Sequence, residues 1–194
     1  MSRIASKPDS HYAWWLRLFF RSQKKRYGQT LEPAKIWARV PQLFLGVATL
    51  YGALDRRSSP IDPVLRALIT VRVSQINWCR FCVDINSATV LRRGASADKL
   101  RGLEHFRGSP LFTEKEKTAL AYAEAITYSD RQVTDELFAE VRRHFSEDEI
   151  VDLTGLIAFQ NLSSQFNAAL DVTPQGFCHI APQPQAASSP GSTS

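Results

Sequence analysis

Apolar residues recur at helical spacing through much of the chain. Between residues 34 and 54 they fall three or four positions apart, which predicts helix. These positions are Ile36, Trp37, Val40, Leu43, Phe44, Val47, Leu50 and Leu54. Pro41 divides the stretch into a short helix and a longer one, because proline has no N–H to donate inside a helix.

Residues 64–76 fit two patterns. Residues 71–73 alternate between apolar and polar as in a strand, whereas Val64, Leu68 and Val71 share one face of a helix. Apolar periodicity does not decide between these two interpretations.

Polar capping residues mark the later helices. Capping boxes of the form Ser/Thr-x-x-Glu begin helices at Thr113 and Ser146, and Thr134 can cap a third helix between them. Upstream, a helix over about residues 79–93 ends before Gly94. We therefore predict an all-α fold in which helices are joined by short polar turns.

Composition divides the chain into three parts. Residues 1–28 form a basic and aromatic N-terminal arm, residues 29–180 a single helical domain, and residues 181–194 a Pro/Ala/Ser-rich tail whose composition predicts disorder. With 194 residues, the chain can build one core without disulfide staples. The basic excess behind the net charge of +5 lies in the first 60 residues.

The arm combines the aromatic cluster Trp14, Trp15, Phe19 and Phe20 with surrounding Arg and Lys residues. Such a segment can lie on a membrane surface or contact nucleic acid. It can equally pack on its own domain or on a neighbouring subunit. The apolar face is short and no base-stacking module is visible, so we expect packing, with no nucleic-acid partner.

Three cysteines are too few for a secreted disulfide framework. The N-terminus lacks the apolar run of a signal peptide, and no segment reaches the roughly 18 to 20 apolar residues of a membrane span. We expect a cytoplasmic protein whose thiols are normally reduced.

The sharpest chemical signal is the Cys-x-x-Cys pair Cys79 and Cys82. At the start of a helix, unpaired N–H groups and the positive end of the dipole favour thiolate over thiol. A thiolate attacks a peroxide to give a sulfenic acid, which a neighbouring thiol converts to a disulfide. The spacing alone leaves three interpretations open, a redox pair, half of a zinc site or two inert core residues.

Zinc would need two further ligands. Cys178 and His179 are adjacent in sequence and poorly placed to reach one tetrahedral ion, so we expect no metal and interpret Cys178 as a buried thiol.

Residues 65–94, which contain the pair, resemble the alkylhydroperoxidase-D-like branch of the carboxymuconolactone decarboxylase family. The segments SPLFTEKEKTALAYAEAIT and LIAFQNLSSQFNAALDVTPQGFC resemble it too, in the same order. The resemblance implies an all-helical domain, with residues 64–76 helical, that assembles into trimers or hexamers. It also implies that Cys82 attacks a small hydroperoxide, that the more exposed Cys79 resolves it, and that an external dithiol restores the thiols without a bound cofactor.

Two positions depart from the pattern of the peroxidase members, Glu-x11-Cys-x-x-Cys-x3-His. Ala67 stands at the glutamate position and Asn86 at the histidine position, so the proton relay is missing. Asn86 can hydrogen-bond a thiol but is not a base near neutral pH. Glu124 is a candidate replacement for the missing base. The alternative is an ion-paired helix residue with no part in the chemistry.

Three hypotheses follow. The first is a thiol-dependent, peroxidase-like oxidoreductase that uses Cys82 and Cys79, with Asn86 and Glu124 as further site candidates. The second is a non-catalytic oligomeric redox sensor or scaffold, favoured by the missing relay. The third is the decarboxylation that gave the family its name, for which no substrate-acid site can be identified.

Overall fold

A computed structural model describes residues 2–180, and the predicted tail over residues 181–194 lies outside them. Nine α-helices and two short 3-10 turns make up this range, and it contains no strand. The α-helices are α1 Trp14–Tyr27, α2 Glu32–Trp37, α3 Pro41–Leu54, α4 Pro63–Ile76, α5 Arg80–Arg92, α6 Ala97–Arg101, α7 Glu114–Thr127, α8 Asp135–His144 and α9 Glu147–Ala169. The predicted all-α fold is confirmed.

Side-chain caps begin most of the later helices where the sequence predicted them. Thr113 and Ser146 form complete capping boxes ahead of α7 and α9, and the Thr134 hydroxyl accepts a hydrogen bond from the N–H of Leu137 at the start of α8. The ambiguous segment is the helix α4, whose N-cap Asp62 accepts two backbone N–H groups.

Helix α4 lies at the centre of the domain and packs against α5, α7 and α9. Ten of its fourteen residues are buried, so its side chains are covered on nearly every face. A helix buried all round shows no amphipathic stripe, which explains its indistinct periodicity. The central core is formed by apolar residues of α4, α7 and α9, including Leu65, Leu68, Ile69, Val71, Leu120, Leu153 and Ile157.

The N-terminal arm packs on its own chain. Leu16 and Phe20 of α1 are buried together with Tyr12, Trp37 and Phe44, so α1 lies against α2 and α3. No helix of the described range is long and apolar enough to cross a membrane.

After α9 the chain turns back across α5, and we call residues 170–178 the strap. The Asp84 carboxylate of α5 accepts backbone N–H bonds from Gln175, Gly176 and Cys178 at 2.9, 2.8 and 2.7 Å. Asp84 is 5% exposed. Because hydrogen bonds to a buried charged group are among the stronger ones, this carboxylate fixes the strap over α5.

Candidate functional site

The turn between α4 and α5 places the cysteine pair. Helix α4 ends at Ile76, Trp78 adopts a left-handed backbone conformation with φ of 58°, and Cys79 becomes the N-cap of α5. A bulky residue rarely takes a positive φ. Here the N–H groups of Trp78 and Cys79 donate to the carbonyl oxygens of Gln75 and Ser74, at 3.1 and 3.0 Å, and fix the turn.

A disulfide joins Cys79 and Cys82, with 5.2 Å between their Cα atoms. The N–H of Cys82 donates to the Cys79 sulfur at 3.2 Å. Cys79 therefore occupies the position where the N-terminus of α5 stabilises negative charge on sulfur.

The Cys82 sulfur has a different partner. The side-chain amide of Asn167, on α9, donates to it from Nδ2 at 3.3 Å. Asn167 is 2% exposed, and its Oδ1 is buried without a hydrogen-bond partner among the described residues. Sequence reasoning missed Asn167, because the only signal is one polar residue in a long helix.

Both sulfur-bearing residues are covered. Cys79 is 1% exposed and Cys82 3%, so both are buried in this disulfide form and neither stands out as the more exposed. The pair is buried in one apolar cluster with Ile36 of α2, Phe81 of α5 and Val172 of the strap.

One wall of a cavity is formed by Cys82. The cavity has a volume of about 310 Å³ and lies among α1, α2, α3, α5 and α9. Its body is mainly apolar and aromatic, lined by Phe19, Leu31, Trp37, Phe44, Val47, Phe81, Ile85 and Phe159 among others. Polar side chains, including Asn86, Gln160 and Asn167, also line it. Cys79 is not among the lining residues.

The structure brings Asn86 to this cavity together with Cys82. The Nδ2 of Asn86 donates to the Ser74 hydroxyl at 3.3 Å, and Nε2 of Gln160 donates to the same hydroxyl at 2.9 Å. Ala67, at the other relay position, is 2% exposed and packs in the central core. No base therefore stands at either relay position.

Glu124 is engaged elsewhere. Its carboxylate, 1% exposed, accepts hydrogen bonds from Arg72 at 2.7 Å, Arg107 at 2.6 Å and Arg131 at 2.9 Å. Burial opposes ionisation, but the hydrogen bonds from Arg107 and Arg72 and the charge of Arg72 outweigh it and lower the pKa of Glu124. No hydrogen bond joins Glu124 to either cysteine in the described range.

Residues 2–180 contain no group of three or more His, Cys, Asp or Glu side chains that could hold a metal ion. Cys178 is the free cysteine and is half-buried in the strap.

Comparison with known proteins agrees with this architecture. A model of the carboxymuconolactone decarboxylase family matches residues 41–125. The uncharacterized protein YnjA of Escherichia coli K12 is 43% identical over 157 residues, which are 81% of this chain and 86% of YnjA.

Two solved structures share the fold. An uncharacterized peroxidase-related protein from Silicibacter sp. TM1040 has a TM-score of 0.81 at 19% identity, covering 95% of this chain and 96% of that protein. A cysteine-to-alanine variant of the debrominase Bmp8, in complex with 2,3,4-tribromopyrrole, has a TM-score of 0.79 at 23% identity, covering 91% and 95% of the two chains. At these identities the likeness establishes the fold alone.

Proposed function

The chain belongs to the carboxymuconolactone decarboxylase family, and from that premise we propose that it is a thiol-dependent, peroxidase-like oxidoreductase in which Cys82 attacks a hydroperoxide. One observation carries the proposal. Cys82 lines an apolar cavity of about 310 Å³, with Cys79 close enough to form a disulfide with it.

The proposed cycle begins with both cysteines reduced. The Cys82 thiolate attacks the outer oxygen of the hydroperoxide, the O–O bond breaks, and the alkoxide takes a proton to leave as an alcohol. Cys82 is then a sulfenic acid. The Cys79 thiolate, stabilised by the N-terminus of α5, attacks the Cys82 sulfur, and hydroxide leaves as water when the disulfide forms.

An external dithiol completes the cycle by exchanging with the disulfide and becoming oxidised itself. No bound cofactor is needed for these steps. Because no base stands at position 67 or 86, the thiolate depends on local hydrogen bonds and the helix N-terminus. A missing general base typically lowers the rate about 10²- to 10⁴-fold, so we expect slow turnover.

Hydroperoxide consumption with a dithiol reductant tests the proposal. Native protein should consume cumene hydroperoxide, and Cys82→Ser should abolish the reaction. Cys178→Ser is the matched control, because it removes the free cysteine and should leave the rate unchanged. An unchanged rate in Cys82→Ser would refute the proposal. Slow, reversible oxidation of the pair without turnover would instead favour the redox-sensor hypothesis.

A second candidate reaction is reductive removal of bromine from a small aromatic ring. It is favoured by the aromatic lining of the cavity beside Cys82, together with the likeness to Bmp8. The thiolate would take the bromine as a cation equivalent, the ring carbon would be protonated, and Cys79 would displace bromide to form the disulfide. Bromide release from 2,3,4-tribromopyrrole in the presence of dithiol tests this candidate, and Cys82→Ser should abolish the release.

We further propose that the chain forms a homo-oligomer through α3. This helix carries no charged residue, and Phe44 is its only buried side chain. Five large apolar residues are exposed on or beside it, namely Val40, Leu43, Leu45, Leu50 and Tyr51. Such a patch typically marks a protein interface.

Light scattering coupled to size-exclusion chromatography tests the oligomer. The native chain should elute as a trimer or hexamer, and Leu43→Glu with Leu50→Glu should dissociate it. Val151→Glu, at an exposed apolar position of α9, is the control and should keep the native mass. A native monomer would contradict the proposal.

A further inference from the structure

We propose that Asn167 is a catalytic residue, whose side-chain N–H stabilises the Cys82 thiolate and whose carbonyl oxygen accepts the O–H of the incoming hydroperoxide. This inference rests on the proposed function. It assigns to Asn167, on α9, part of the thiol activation that the glutamate and histidine of the family pattern would provide.

The orientation of the amide follows from the chemistry of its neighbour. A disulfide sulfur carries no hydrogen, so a side-chain amide in contact with it must present its N–H rather than its oxygen. Nδ2 of Asn167 does so, at 3.3 Å from the Cys82 sulfur. When the disulfide is reduced, the same N–H faces a sulfur that can carry a full negative charge. A hydrogen bond to a charged group is stronger than one to a neutral group, so the contact favours the thiolate.

Asn167 differs from the other polar amides that line the cavity. Asn86 and Gln160 both donate to the hydroxyl of Ser74. Gln23 lies on the arm and accepts the N–H of Leu31 at 3.3 Å. Asn167 is the cavity amide in the described range that donates to sulfur.

The unpartnered oxygen provides a second, independent observation. Oδ1 of Asn167 is fully buried and accepts no hydrogen bond within residues 2–180, and the residue lines the same cavity as Cys82. A buried acceptor without a donor is costly, so this oxygen is available to accept a hydrogen bond from a molecule that enters the cavity. A hydroperoxide supplies an O–H on the oxygen that the thiolate attacks. The sulfenic acid formed from it supplies another, on the same sulfur.

Nδ2 of Asn167 would therefore stabilise the Cys82 thiolate, and Oδ1 would orient the hydroperoxide oxygen that the thiolate attacks. Because an amide does not accept a proton near neutral pH, Asn167 is not a replacement base. Its contribution is a larger thiolate fraction and a positioned substrate.

The test measures Cys82 directly and uses no hydroperoxide, so its failure is separate from failure of the proposed function. In a full-length background with Cys79→Ser and Cys178→Ser, Cys82 is the only thiol. The rate of its alkylation by iodoacetamide is followed against pH, because the midpoint reports the thiol pKa.

We expect Asn167→Leu to raise this midpoint and to slow alkylation at pH 6 about tenfold or more, as expected for loss of a hydrogen bond to a charged group. Asn167→Asp keeps the shape of the side chain, replaces the donor by a negative charge and should raise the midpoint further. Gln165→Leu makes the same kind of change at an exposed position of the same helix and should leave the midpoint in place. If Asn167→Leu does not fold, the alkylation midpoint of Asn167→Asp is the deciding measurement. An unchanged midpoint in a folded Asn167 variant would overturn the inference.

Discussion

Replacing Glu124 by Gln separates a structural role of this carboxylate from a chemical one. The side chain is 1% exposed and holds three guanidinium groups. Arg72, on α4, is itself 8% exposed, whereas Arg107 and Arg131 are 57% and 44% exposed. Glu124 thus joins α7 to the helix that leads into the cysteine turn.

The magnitude follows from this burial. Removing one partner of a buried ion pair costs about 3–5 kcal/mol, because the other charge is left uncompensated. The two exposed arginines add at most about 1 kcal/mol each. At about 2–4 °C per kcal/mol for a domain of this size, Glu124→Gln should lower the Tm by about 10–20 °C.

The effect should also depend on pH. Because the pKa of Glu124 is lowered in the folded state, its ionised form stabilises the fold above the unfolded pKa of about 4.3. This stabilisation is lost as the pH falls through the lower, folded pKa. The difference in Tm between native protein and Glu124→Gln should therefore be full at pH 7 and shrink well below pH 4.

Thermal unfolding followed by circular dichroism is the assay. Glu140→Gln is the control, because within residues 2–180 Glu140 pairs with Arg143 and His144 at the surface, and the Tm of this variant should change little. Alkylation of reduced Cys82 should be unchanged in folded Glu124→Gln. If Glu124→Gln keeps the native Tm but loses hydroperoxide turnover, the purely structural role is refuted and Glu124 takes part in the reaction.

Three further predictions address the site. Asn86→His places a base one turn after Cys82, so it should raise hydroperoxide turnover at least about tenfold in the dithiol-coupled assay. An unchanged rate would mean that proton transfer does not limit turnover. Ala48→Phe fills part of the cavity, and it should lower kcat/KM for cumene hydroperoxide much more than for hydrogen peroxide. An equal loss with both substrates would argue against binding in this cavity. Asp84→Asn replaces the carboxylate that accepts three backbone N–H groups of the strap, so it should loosen the strap. Dithiothreitol should then reduce the disulfide faster. An unchanged rate would mean that the strap does not limit access to the disulfide.

Local signals predicted most of the fold. Capping residues such as Thr113 and Ser146 act within one helical turn, so their effect can be recognised in four consecutive residues. The segment that forms α4 could not be assigned from its pattern, because burial on nearly every face removes the contrast between apolar and polar positions. Its helical state was predicted only by resemblance to a family.

The candidate site, like the fold, was predicted only in part from the sequence. The spacing of Cys79 and Cys82 identified the pair, and Asn86 was identified because it stands at the histidine position of the family pattern. Asn167 reaches Cys82 across 85 positions, and Arg72 reaches Glu124 across 52. Such pairs depend on how whole helices pack, and no local pattern records them. The cover over Cys79 also comes from a distant segment, which is why its burial was not predicted.

In the proposed cycle, Cys82 and Cys79 act together on a hydroperoxide. The most direct measurement mixes the reduced Cys178→Ser protein with one equivalent of cumene hydroperoxide and follows free thiols and cumyl alcohol in a single turnover. We predict that both thiols disappear at the rate at which the alcohol forms, with the Cys79–Cys82 disulfide as the product, and that Cys79→Ser stops at a sulfenic acid on Cys82. Persistence of both thiols after the hydroperoxide is consumed, or alcohol formation in Cys82→Ser, would contradict the account.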